Sequence, residues 1–151
     1  MNPRNRLAAS ATLHCLTGCA IGEVLGLVIG TTAGLSNVQT IVLATGLAFV
    51  FGYGLSSVPL VRSGMPLAGA LKLVLAADTV SILVMEVVDN AVMAVVPGAM
   101  DAGLGDAIFW GGMVVALTAA FVAAFPVNRW LIDRGKGHAL HHAHHGPDAH
   151  R

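Results

Sequence analysis

Residues 14 to 23, His-Cys-Leu-Thr-Gly-Cys-Ala-Ile-Gly-Glu, bring an imidazole, two thiols and a carboxyl together inside an apolar run from about Leu7 to Ala33. On a helix, Cys15, Cys19 and Glu23 fall four apart and share one stripe. His14 lies on the neighbouring stripe, at the inner end of a row of glycines. A second set, Asp78, Glu86, Asp89 and Asn90, sits in an apolar run from about Leu67 to Val96. Asp78, Met85, Asp89 and Met93 share a helical face, with Glu86 beside them. A third set is the tail Gly137-His138-Ala139-Leu140-His141-His142-Ala143-His144-His145, followed by His150. Thiolate and imidazole are ligands for soft or borderline ions such as copper(I) or zinc, and His-rich tracts bind similar metals. The expected chemistry is therefore metal binding by His14, Cys15, Cys19, Glu23, Asp78 and Glu86. Met85, Asp89 and the tail residues His138, His141, His142, His144 and His145 are its accessory ligands.

The elements that position these groups are membrane helices. Apolar residues make up 56% of the 151 and charged residues 11%, against about 25% charged in a soluble domain. The mean hydropathy is +0.77. Four runs, about 7–33, 38–60, 67–96 and 107–132, are each long enough to span a bilayer, which takes roughly 20 apolar residues. Short turn-like connections, Gly34 to Asn37, Arg62 to Pro66 and Pro97 to Asp106, make neighbouring helices antiparallel. The expected fold is all-α, an integral membrane up-down four-helix bundle. Residues 1–6 precede it and 133–151 form a cytoplasmic His-rich tail. Pro66 suits the first turn of the third helix, and Pro126 is expected to kink the fourth. Trp110 and Trp130, about 30 Å apart at 1.5 Å per residue, read as interfacial anchors.

Basic residues set the orientation. Arg4, Arg6, Arg62, Lys72, Arg129, Arg134, Lys136 and Arg151 all fall on one side of a four-span topology, and Asp101 and Asp106 on the other. Both termini are then expected in the cytoplasm. Arg4 and Arg6 before an apolar stretch also suggest a signal peptide, and Leu16-Thr17-Gly18-Cys19 a lipoprotein cleavage box. The stretch ahead of Cys15 is short and interrupted by His14, and the apolar run continues past Cys19, so a first membrane span is preferred. Two cysteines four apart on a helix make a strained disulfide, so free thiols are expected.

Other residues read more plainly. Gly18, Gly22, Gly26, Gly30 and Gly34 form a ladder that lets helix backbones approach closely, which serves packing within the chain, a homo-oligomer or a membrane partner. Met85 and Met93 suit packing as well as ligation. The second helix, with Gly46, Gly52, Gly54 and Tyr53, holds nothing that looks like a site. Zero net charge suggests no nucleic-acid partner, and no phosphate loop or catalytic triad is present, which weighs against an enzyme.

Counting depth from Leu7 on the first helix puts Cys19 about 18 Å and Glu23 about 24 Å into the bilayer. Counting from Leu67 on the third puts Asp78 about 16 Å and Glu86 about 28 Å in. If the two helices face each other, Cys15 and Cys19 are level with Asp78, and Glu23 lies nearer Glu86. The reading is a transition-metal transport or binding protein. A membrane thiol/quinone redox protein and a non-catalytic helix-packing subunit are the alternatives.

The segment Thr12 to Glu23, the run Pro126-Val127-Asn128-Arg129-Trp130-Leu131 and Gly135-Lys136-Gly137-His138 resemble a bacterial membrane-protein family catalogued as domain of unknown function 4396. The similarity extends over about Ala11 to His138. It implies a small multi-pass protein of the bacterial inner membrane and carries over no catalytic residue.

Overall fold

The computed structural model describes residues 2–134; the tail histidines His138, His141, His142, His144, His145 and His150 lie outside them. Four helices follow in order: α1 (Pro3–Ala33), α2 (Asn37–Arg62), α3 (Leu67–Val95) and α4 (Ala107–Asp133). Each contains an 18-residue window with mean hydropathy of 1.7 to 2.1, long and apolar enough to cross a membrane. The chain is a multi-pass, all-helical integral membrane protein.

The helices end where local chemistry stops them. The Asn2 side chain caps α1 by accepting from the Arg4 N–H, with Pro3 at the first helical position. Gly34 closes α1 in the left-handed region at φ 67°, where the Leu35 N–H donates to the Gly30 carbonyl at 2.9 Å. The last rung of the expected glycine ladder is thus a C-cap, where glycine avoids the Cβ penalty. Ser36 and Gln39 form a reciprocal capping box that starts α2. Pro66 stands at the N-cap of α3 rather than inside its first turn. Helix α4 continues through Pro126 to Asp133.

Around the bundle α1 packs on α2, α2 on α3, α3 on α4 and α4 on α1, and α1 also touches α3 across the middle. Both chain ends described lie together, since Arg4 Nη1 reaches Asp133 Oδ1 at 3.5 Å. At the opposite end Asn37 Nδ2 donates to Asp101 Oδ1 at 3.4 Å. That pair is exposed and of little energetic consequence, but it shows that the first and third connections share one end, as in an up-down bundle.

The bundle is apolar outside and small or polar inside. Val38, Val87, Val95, Val114 and Val122 are among the most exposed side chains, as a lipid-facing surface requires. Ala8, Ala48, Ala116, Ala120 and Ala124 are fully buried, together with Thr12 and Ser81, and Asp78, Glu86, Asp89 and Asn128 are buried to within 5%. Small residues in the interior let the backbones approach where no hydrophobic force drives helices together.

The closest approach is between α1 and α2. A Cβ added at Gly18 would lie 2.5 Å from the Gly52 backbone, one at Gly22 2.5 Å from Ala48 Cα, and one at Gly26 2.5 Å from Ala44 Cβ. At Gly30 it would meet the Thr40 side chain. The ladder face that the sequence also offers to a homo-oligomer or membrane partner is therefore covered by α2 of the same chain. On α2 only Gly52 serves close packing, because Gly46 and Gly54 face open space. A second four-residue rhythm, Gly112, Ala116, Ala120, Ala124 and Asn128, forms the buried face of α4.

Candidate functional site

The inner part of the site begins near the termini. Thr12 Oγ1 donates back to the Ala8 carbonyl at 2.7 Å and accepts from Asn128 Nδ2 at 2.8 Å, tying α1 to α4 in the interior. One turn further along α1, the Cys15 thiol is 1% exposed. Its Sγ lies 4.0 Å from Ser56 Oγ of α2, with Asp78 and Ser81 of α3 as its other polar neighbours. The hydroxyls of Ser57 and Ser81 are buried without a hydrogen-bond partner.

The next rung is Cys19, also 1% exposed, packed with Met85, Ile82 and Ala48. Its polar neighbour is Glu86. Thr45 of α2 donates to Glu86 Oε2 at 3.1 Å, and Glu86 Oε1 has no donor. The third rung is Glu23, which faces Asp89, with Glu86 close by. Glu23 Oε1 and Asp89 Oδ1 are likewise sealed from solvent and without a partner. Two facing carboxyls in a dry site are held together only by a proton or cation between them, since two bare charges repel.

The three rungs differ from the levels counted along the sequence. Cys15 meets Asp78 as expected. Cys19 meets Glu86 rather than Asp78, and Glu23 pairs first with Asp89. The reason is the start of α1, which is Pro3 and not Leu7. Four more residues add about 6 Å of helix, moving Cys19 from about 18 Å to about 24 Å in depth. Asp89, read as an accessory ligand, belongs to the central row and is 4% exposed.

His14 does not join the row. It is exposed on the outer side of α1, with Nδ1 against the Ser10 carbonyl at 2.7 Å. Its position one residue before Cys15 turns it about 100° from the thiol stripe. Among the described residues, no group of three or more His, Cys, Asp or Glu side chains is arranged to hold a metal ion.

A cavity of about 430 Å³ opens between the α1–α2 turn and the α3–α4 connection, at the end away from the termini. Glu23, Glu86 and Asp89 form its floor and Asp101 stands at its mouth; its walls include Leu27, Ile41, Met93 and Met113. Among the described residues no lysine, arginine or histidine lines it, so its field favours cations. The polar row thus continues from the cavity floor to the thiols and on toward Thr12 and Asn128.

Several of these partners are not anticipated from the sequence. Helix α2, read there as holding nothing like a site, supplies Thr45 and Ser56 to the row. Their stripe, Thr45, Ala48, Gly52 and Ser56, is visible as small and polar residues at helical spacing. Tyr53 has a different role, its hydroxyl meeting Thr79 Oγ1 of α3 at 2.8 Å. Trp110 and Trp130 are half-exposed near opposite ends of α4, as interfacial anchors would be. Arg134 stacks 4.4 Å above the Trp130 ring.

No curated protein and no solved structure matches the chain. Residues 4–137 match the family described as "Domain of unknown function (DUF4396)", and with nearly the whole length covered the chain belongs to that family.

Proposed function

We propose that the protein binds a cation in the membrane and passes it along the row Glu23, Asp89, Glu86, Cys19, Cys15 and Asp78, with a transition metal, copper or zinc, as the cargo. One observation carries this reading: a cavity with a carboxyl floor and, among the described residues, no basic side chain shares Glu86 with the row that holds two buried free thiols. Three floor oxygens, on Glu23, Glu86 and Asp89, lack a hydrogen-bond donor, and a buried acceptor left unsatisfied costs about 1–3 kcal/mol. A cation supplies what those oxygens lack. Thiolate then offers a softer ligand deeper in the bundle.

The positive-inside rule assigns the Arg- and Lys-bearing end to the cytoplasm, so the cavity opens to the other side and the His tail receives or buffers the ion. The resemblance noted above makes the bacterial inner membrane the expected location. His14 has no part in this scheme. The thiol/quinone alternative fits less well, because both thiols are 1% exposed and a disulfide across one helical turn is strained. The assembly alternative loses its main surface to α2.

The test is metal content by mass spectrometry of the full chain in detergent. Wild type is compared with a chain whose six tail histidines are alanine, and with Cys15→Ser/Cys19→Ser in that background. Stoichiometric copper or zinc that survives the tail replacement and disappears with the thiols is the expected result. Metal lost with the tail histidines alone refutes an intramembrane site.

A further inference from the structure

The chain has two cysteines and six methionines, and six of these eight sulfur-bearing residues lie on one line. Met100, Met93 and Met113 line the cavity. Met85, Cys19 and Cys15 pack together in the buried cluster beneath it. Of the other two, Met65 packs at the opposite end of the bundle, near Leu60 and Val74, and Met1 is the terminal residue. The line runs from thioethers at the open end to thiols in the interior, which is from weaker to stronger sulfur donors.

Methionine also fills irregular gaps in apolar cores, and that alone accounts for Met85. Met93 packs as well, its Sδ 3.2 Å from where a Cβ on Gly112 of α4 would stand, but packing does not account for the unpartnered carboxyl oxygens of residues that line the same cavity. Asp89 and Glu86 are each 4% exposed and line the cavity, and their buried oxygens Asp89 Oδ1 and Glu86 Oε1 have no donor. Three methionines and two carboxyls with unpartnered oxygens line one cavity; a shared proton satisfies the carboxyls alone, whereas a soft ion uses the thioethers as well. Thioether and thiolate select copper(I), whereas zinc takes nitrogen, thiolate and carboxylate in closed tetrahedral sets. No such set of His, Cys, Asp or Glu stands among the described residues.

We propose that the cavity is an entry site for a soft monovalent metal ion, copper(I), held by the thioethers of Met93 and Met113 above the carboxyl of Asp89, with Met100 at the mouth. This rests on the cation reading and narrows its cargo. The volume, about 430 Å³, leaves room for water beside the ion, since each water takes about 30 Å³. The ion sheds that water as it descends to Cys19.

The experiment uses the full chain with its tail histidines replaced by alanine, in detergent. Copper(I) is titrated against a chromophoric chelator, silver(I) serves as a redox-inert probe of the same softness, and zinc is titrated in parallel. Met93→Leu/Met113→Leu is the test variant, because exchange of methionine for leucine conserves volume and keeps the fold. Met65→Leu is the control at the other end. The expected result is a loss of copper(I) and silver(I) affinity of tenfold or more in the double variant, no change in Met65→Leu, and zinc binding weak and indifferent to both. Copper(I) binding that ignores the methionines and vanishes with Cys15→Ser/Cys19→Ser overturns the entry site and leaves the cation reading standing. Tight zinc binding with no response to silver(I) overturns the softness argument. No binding of any of the three ions overturns both.

Discussion

Replacing Gly22 by alanine tests the geometry that holds the whole site. The added Cβ would lie 2.5 Å from Ala48 Cα and stand against backbone, so no side chain can rotate out of its way. Carbon atoms prefer about 3.5–4.0 Å, and α2 must therefore withdraw by about 1 Å. Two effects oppose each other. Alanine in place of a helical glycine gains about 0.5–1 kcal/mol from backbone entropy. Overpacking a well-packed contact costs about 1–3 kcal/mol. A withdrawn α2 also carries Thr45 away from Glu86, a bond of 3.1 Å, and bonds between membrane helices contribute about 0.6 kcal/mol on average. The net expectation is a loss of about 1–2 kcal/mol. Gly46→Ala is the matched control, on the same pair of helices but with nothing within 4 Å of the new Cβ, and it is neutral or stabilising. The assay is reversible unfolding in mixed detergent micelles followed by circular dichroism, with Gly18→Ala alongside. A Gly22→Ala protein as stable as Gly46→Ala would refute the claim that this face is in backbone contact with α2.

Other expectations follow from single contacts. Thr12→Val destabilises by about 1 kcal/mol, since it leaves the buried Asn128 amide without its acceptor; Asn128→Leu costs less, because Thr12 Oγ1 keeps its bond to the Ala8 carbonyl, and the double variant costs less than their sum in the same unfolding assay. Cys15 and Cys19, each 1% exposed, resist a water-soluble maleimide in the folded protein and react after unfolding, whereas a cysteine placed at Asp101 labels at once; ready labelling of Cys19 would mean that the row is open to water. Glu86→Gln keeps an acceptor for Thr45 and removes the carboxyl group, so fold and detergent stability are retained while metal content falls several-fold; unchanged metal content would take Glu86 out of the row. A reporter fused after the tail and active only in the cytoplasm works, and activity of a reporter that needs the opposite compartment would invert the topology.

Much of the architecture was legible because hydropathy and turn chemistry are local. Four apolar runs, the Gly34 and Pro66 breakpoints and the scarcity of charge determined the number of spans and their antiparallel order, for a bilayer admits few alternatives to helices. The four-residue rhythm of Cys15, Cys19 and Glu23 likewise guaranteed that these side chains share a face. So did the position of Asp78 and Glu86 in an apolar helix, which demands an interior partner.

What the chain could not say by itself was which groups meet. That depends on where each helix starts and on which diagonal closes the bundle, and both are decided by packing. The extra turn of α1 from Pro3 shifted every α1 residue by about 6 Å, which moved Cys19 to Glu86 and Glu23 to Asp89. The contact of α1 with α3 across the bundle arises because the glycines let α2 lie close and the alanines of α4 let it close the other side. His14 fell outside for the same reason, one residue and about 100° from the thiol stripe. The cavity belongs to no single segment: two turns distant in sequence enclose it, and only the folded bundle brings Met93, Met113 and Asp89 to one space.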